Sequence, residues 1–173
     1  MNETAAKALL EAERTGVQLQ SLPEGSAPAT VADALAVQGL IATASGPIGA
    51  WKVGPFPLGG LACAPIPAAM VFDAPITLAD PGALEIELEI GVTFGADLPP
   101  RSAPYTEAEL IAAIASIRPI GELIRSRFSD RKQLPPAVNL ADRLAGAGVI
   151  LGKERPDWQG LEFGGLALSL GIG

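Results

Sequence analysis

The stretch that decides the fold is Leu84-Glu85-Ile86-Glu87-Leu88-Glu89-Ile90-Gly91-Val92-Thr93-Phe94. Apolar residues hold every even position, and acidic, small or hydroxyl residues hold every odd one. A period of two sustained over 84–94 predicts a strand with one face turned to a core. Glu85, Glu87 and Glu89 then project from the other face, with successive Cα atoms about 6.6 Å apart. Two side chains of that length can converge on one point. Like charges on one face raise each other's pKa and weaken the strand unless something offsets them. The strand contains no lysine or arginine. A divalent cation would serve, since Mg²⁺ takes oxygen ligands, accepts a few carboxylates and keeps exchangeable waters. The plainer alternative is a solvated face on a half-exposed strand.

Other residues bear on that choice. Glu122 lies in the apolar run Ile120-Gly121-Glu122-Leu123-Ile124, where a lone acid is either satisfied by a partner or functional. Lys52 lies in Trp51-Lys52-Val53-Gly54. It either points to water or, beside metal-bound carboxylates, serves as acid, base or cationic clamp. Asp73 precedes Ala74-Pro75, a position suited to a turn former.

Outward from this strand, the N-terminal part predicts helices. Residues 4–14 form one, capped by Asn2 or Thr4 and ended by Gly16. Residues 22–29 form a loop. Residues 31–44 form a second helix with Thr30 and Asp33 as a capping box, and Val31, Leu35 and Gln38 set its face. After Gly46-Pro47 the pattern turns to strands at 48–53 and 70–73, separated by a Gly- and Pro-rich loop at 54–67. Thr106 and Glu109 form a second capping box, for a helix to about residue 117, and Pro119 begins a strand at 120–125. Residues 138–144 form a short helix, and 149–151 and 166–170 form two further strands. The fold class is therefore α+β, with helices early and strands late. The organisation expected is a helical segment 1–47 and a β-rich region 48–173, one domain overall.

Composition excludes whole classes of function. Of the 173 residues, 49% are hydrophobic, too many for a disordered chain. With 12 basic against 19 acidic residues and a net charge of −7, nucleic acid is not an expected partner, since phosphate recognition needs clustered Lys and Arg. There are no histidines, which excludes a Ser-His-Asp triad, a Cys-His dyad and every His-ligated metal site. Cys63 is the lone cysteine. It permits no intrachain disulfide, suits a cytoplasmic setting, and is expected as a small buried apolar residue. Residues 1–13 are helical and charged rather than signal-like. The longest uncharged apolar stretch, 54–71, is broken by Pro55, Pro57, Pro65 and Pro67. It cannot be a membrane helix, so no membrane partner is expected.

Taken together, several pieces carry a resemblance: Trp51-Lys52-Val53-Gly54, Glu87-Leu88-Glu89-Ile90, and Gly95-Ala96-Asp97-Leu98-Pro99-Pro100-Arg101. Gly121-Glu122-Leu123 with Ser126-Arg127-Phe128 follows, and then Ala141-Asp142 before Gly148-Val149-Ile150-Leu151-Gly152. In this order they resemble the 2-keto-4-pentenoate hydratase family of 2-oxo-acid hydratases and decarboxylases, relatives of the fumarylacetoacetate hydrolases. The match runs from about Thr4 to the end. The resemblance implies a mixed, largely antiparallel β-roll following the helices. It implies Mg²⁺ or Mn²⁺ held by Glu87, Glu89 and Glu122, with Glu85 as an extra surface acid, and it maps catalytic roles onto Lys52 and Asp73. Relatives often show two adjacent acids where this chain has Asp73-Ala74, and a different polar residue where it has Arg143. Several carry an acid or a small residue at the place of Arg125. They also continue through several more strands beyond about Leu170, so the fold is expected to be incomplete at its C-terminus.

The chemistry implied is that of a carbon–oxygen lyase on a small 2-oxo or 2-hydroxydienoic acid, in a homo-oligomer. The cation chelates the substrate and stabilises an enolate. The dienol ketonises, and water adds at the carbon β to the conjugated ketone. Lys52 moves a proton or pairs with the enolate, and Asp73 orients water. Decarboxylation of a 2-oxo-enedioate uses the same device and stands as the alternative, as does a truncated, non-catalytic partner subunit. The missing histidine counts against fumarylacetoacetase-type C–C hydrolysis. A carboxylate-pair glycosidase ranks below these readings, because two tryptophans and one tyrosine offer few platforms for sugar stacking.

Overall fold

The structure is a computed structural model and describes residues 1–78, 82 and 84–172. Helix α1 (Asn2–Thr15) begins one residue into the chain, so Met1 rather than Asn2 or Thr4 occupies the cap, without a side-chain bond. Gly16 ends it as expected, left-handed at φ 71°, its N–H donating to the Ala12 carbonyl. Helix α2 (Val31–Ser45) carries the full capping box, with Thr30 and Asp33 bonding reciprocally. Its inward face is rotated from the one expected. Ala34, Val37, Gln38 and Ile41 are buried, whereas Val31 and Leu35 are exposed. Small Ala34 sits in the core with Ala5, Ala6 and Leu9 of α1, which lets two helices pack closely. Gln38, buried with them, donates from Nε2 to the Leu140 carbonyl at 2.5 Å.

The predicted loop at 54–67 is half strand. β1 (Ile48–Pro55) turns at Gly59 and Gly60, both at positive φ, and returns as β2 (Leu61–Pro67) in antiparallel pairing. Ala62, Ala64 and Ile66 face inward, so the period of two is present, but Pro65 and Pro67 obscure it. Prolines are tolerated because, among the described residues, β2 has only one partner strand and keeps an edge free of ladder bonds. Cys63 lies opposite Val53 and is exposed, contrary to the buried position expected.

A second sheet has, among the described residues, four strands in the order β3-β6-β5-β4. β3 (Val71–Asp73) runs parallel to β6 (Gly146–Leu151). β5 (Ile114–Ile124) is antiparallel to both β6 and β4 (Glu85–Phe94). Helix α3 (Glu107–Ala113) opens on the expected capping box but ends four residues early. The chain passes straight into β5, because Ile114–Pro119 pair with β4. Long-range pairing outweighs the helical signal there, and Pro119 lies inside a strand instead of opening one. Helix α4 (Pro136–Ala141) ends earlier than expected, for a reason that belongs to the site below. Residues 166–170, expected as a strand, make no ladder. A single 3-10 turn, Phe163–Gly165, precedes them. Among the described residues their apolar run pairs with no strand, and hydropathy alone does not make a sheet.

The main core joins α1 and α2 to Phe56, Ala62, Phe128, Ala137, Val138 and Leu140. Among the described residues, no helix is long and apolar enough to cross a membrane.

The second capping box is tied to a neighbouring arginine. Glu109 accepts from both Arg101 Nη atoms, at 2.8 and 2.6 Å, and from the Thr106 N–H at 2.8 Å. The Arg101 side chain foremost, and the Thr106 bonds after it, hold the Glu109 carboxyl down at about 2, against an ordinary 4.5. A depressed folded value means that the carboxylate stabilises the fold above about pH 4.5 and that this is lost as pH falls toward 2. Wild type is therefore expected to lose more thermal stability than Glu109→Gln between those limits. Parallel Tm profiles of the two proteins would contradict the assignment.

Candidate metal centre

The register of β4 and β5 sets Glu87 directly opposite Glu122. Glu85 and Glu89 lie two residues to either side of Glu87 on the same face, as pleating requires. Carboxyl oxygens of Glu87, Glu89 and Glu122 all lie within 4.8 Å of one another. Glu122 is 2% exposed, while Glu87 and Glu89 open to solvent. Glu85 is drawn off by Arg131, whose Nη2 is 3.2 Å from its Oε2. Three glutamates thus converge and the fourth does not.

Lys52 reaches the cluster from β1. Its Nζ is 2.5 Å from Glu122 Oε1 and donates to the Leu144 carbonyl at 3.3 Å. Glu122 Oε1 is buried and, among the described residues, accepts no well-directed hydrogen bond despite that ion pair. The Glu89 carboxyl is pushed up, first by burial, then by Glu122, against a downward pull from Lys52, with Glu87 adding a smaller upward push. Lys52 neutralises one of three negative charges. A doubly charged cation would neutralise the rest. A donor set of three carboxylates, without sulfur or imidazole, suits Mg²⁺, Mn²⁺ or Ca²⁺. Burial of Glu122 fits the same conclusion, since a carboxylate held out of water needs cationic partners.

Asp73 is placed differently. It pairs with Leu151 of β6, Leu151 with Ile120 of β5, and Ile120 with Glu89. That row puts Asp73 on the acidic face but on the far edge of the sheet, three strands from Glu89. It is not one of the carboxylates that meet.

Sequence reasoning missed the wall behind Lys52. After α4 the chain makes a left-handed turn through Arg143, Leu144 and Ala145, at φ 54°, 53° and 62°. None is glycine, and each such residue costs about 1–2 kcal/mol. Arg127 grips this turn. Its Nε is 2.5 Å from Asp142 Oδ1, Nη2 donates to the Asp142 carbonyl, and Nη1 donates to the Gly146 carbonyl at 2.7 Å. Ser126 Oγ donates to Asp142 Oδ2 at 2.8 Å, and Arg143 is ion-paired with Glu13 of α1. A Cβ on Gly146 would stand 3.1 Å from the Arg143 carbonyl and 3.5 Å from Lys52 Cδ, so only glycine fits between turn and lysine without displacement. The pieces Ser126-Arg127 and Ala141-Asp142 were visible in the sequence, but nothing in it announces three left-handed non-glycine residues.

No family model matches the sequence, and no curated protein does. Solved structures do. One similar structure is 4-oxalocrotonate decarboxylase from Pseudomonas putida G7 complexed with magnesium and adipate, at TM-score 0.67 and 23% identity, covering 86% of this chain and 60% of that one. The same enzyme complexed with calcium and acetate matches at TM-score 0.62 and 22% identity, with the same coverage. The likeness establishes the fold alone: the chain shares the α+β fold of these neighbours. The chain spans 60% of the length of these neighbours.

Proposed function

We propose that the chain is a divalent-metal-dependent hydratase of the 2-keto-4-pentenoate hydratase type, acting on a small 2-hydroxydienoate or 2-oxo-enoate. The observation that carries this reading is the convergence of Glu87, Glu89 and Glu122 with Lys52 on one sheet face. Those three glutamates would hold Mg²⁺ or Mn²⁺. When bound, the cation supplies Lewis acidity toward the 2-oxygen of an α-oxo carboxylate, where charge develops on enolisation. The protein's own part is then short. Glu122 and the Leu144 carbonyl hold the Lys52 ammonium in place. Lys52 Nζ delivers a proton to the terminal carbon of the dienol as the 2-hydroxyl releases its own to solvent, and takes one back from water as the hydroxide adds β to the conjugated ketone and the α carbon is protonated from solvent. A cytoplasmic homo-oligomer is the setting that accompanies this reading.

A second reading takes its motive from the neighbours' name as decarboxylases: the same site would release carbon dioxide from a 2-oxo-enedioate. The experiment is a spectrophotometric assay of purified protein with Mg²⁺. Dienoate absorbance should fall only with the metal, with a product one water heavier, and Glu87→Ala should abolish it. Carbon dioxide release from the enedioate with no hydration would select the second reading. Turnover that survives chelation would overturn both. Mg²⁺ binding without any turnover would mark a non-catalytic partner.

A further inference from the structure

We propose that Arg127 is a positioning residue for Lys52, acting by locking the left-handed turn at residues 143–145. The inference rests on the role assigned to Lys52 above. A run of three left-handed residues other than glycine persists only where its surroundings over-determine it. Arg127 supplies that restraint at both ends. Its guanidinium bonds the carboxylate and the carbonyl of Asp142, just before the turn, and the carbonyl of Gly146, just after it. Ser126 and the Arg127 N–H fix the same carboxylate, and the Arg125 N–H donates to the Ala145 carbonyl at 2.8 Å. Ser126, Arg127 and Asp142 are all buried.

The turn's conformation decides where the Leu144 carbonyl points. Had α4 continued, that carbonyl would lie along the helix axis toward the N–H four residues on. Reversed in hand, it meets Lys52 Nζ at 3.3 Å, complementing the Glu122 contact. The turn therefore gives the ammonium a second anchor of fixed direction, and Arg127 holds the turn.

The rival explanation is that Arg127 only balances the buried charge of Asp142. A glycine rescue separates the two. Arg127→Lys keeps the charge but cannot span all three acceptors. With Mg²⁺ present it should lower kcat about tenfold or more, with KM and Mg²⁺ affinity within about threefold. Acetylation of Lys52 by an N-hydroxysuccinimide acetate, mapped by mass spectrometry, should quicken about fivefold, while exposed Lys7 stays unchanged. Adding Ala145→Gly, which removes one methyl and makes a left-handed residue inexpensive, should restore both readouts to within about threefold of wild type. A double variant as defective as Arg127→Lys, or unchanged Lys52 labelling in Arg127→Lys, would overturn the proposal. If Arg127→Lys does not fold, Ser126→Ala takes its place, with the same directions and the same rescue expected. If wild type turns over no 2-oxo acid, the proposed function fails, and the labelling arm alone still decides the positioning role.

Discussion

Glu122→Gln is expected to weaken Mg²⁺ binding by about a hundredfold or more, since even outer-shell changes at metal sites cost 10–100-fold. The substitution keeps the volume and removes the only fully buried member of the carboxylate trio. It also strands Lys52 Nζ, which sits 2.5 Å from Glu122 Oε1 with its side chain 13% exposed. Breaking a buried pair from one side costs about 3 kcal/mol or more, so the metal-free variant should melt earlier. The diagnostic is a titration of Tm against Mg²⁺. Wild type should rise with concentration, as any ligand selective for the native state requires, and Glu122→Gln should stay flat. Equal rises in the two proteins would place any cation elsewhere.

Lys52→Met should behave in the opposite way toward the metal. Removing the ammonium frees Glu122 Oε1 and removes a positive charge beside the cluster, so Mg²⁺ affinity should hold or tighten a few-fold. Turnover should fall by about 10²–10⁴, the usual worth of a positioned proton-transfer group, with KM little changed. The metal-free variant should lose about 3 kcal/mol, from a buried Glu122 left without its partner, and Mg²⁺ should recover most of it. Calorimetric titration beside steady-state kinetics separates these effects. If Lys52→Met keeps wild-type kcat, the lysine is a structural counter-ion and no more. If it loses metal binding together with activity, the roles of Lys52 and the glutamates have been confused.

What the sequence made legible follows from how local each signal is. The strand containing Glu87 and Glu89 shows itself by alternation alone, and so does the shared face of its glutamates. Thr30 with Asp33, and Thr106 with Glu109, announce helix starts, because a capping box is a contact between residues three apart. Less local features were hidden. The β2 strand was masked by Pro65 and Pro67. The end of α3 is decided by β4, which lies more than a dozen residues upstream. The inward face of α2 depends on how closely Ala34 approaches α1. At the site, spacing along one strand places Glu87 beside Glu89 but says nothing of Glu122, because register is a property of two strands. The left-handed turn beyond Asp142 had no sequence signal at all, since its non-glycine residues are held there by Arg127 from a different loop.

The central claim is that one cation is gripped by two glutamates of β4 and one of β5. A crystal structure of the protein with Mn²⁺, read from the metal's anomalous scattering, tests it most directly. One peak lying within about 2.5 Å of a carboxylate oxygen from each of Glu87, Glu89 and Glu122 is the predicted result. A peak that excludes Glu122, or no peak on this face at saturating Mn²⁺, would contradict it.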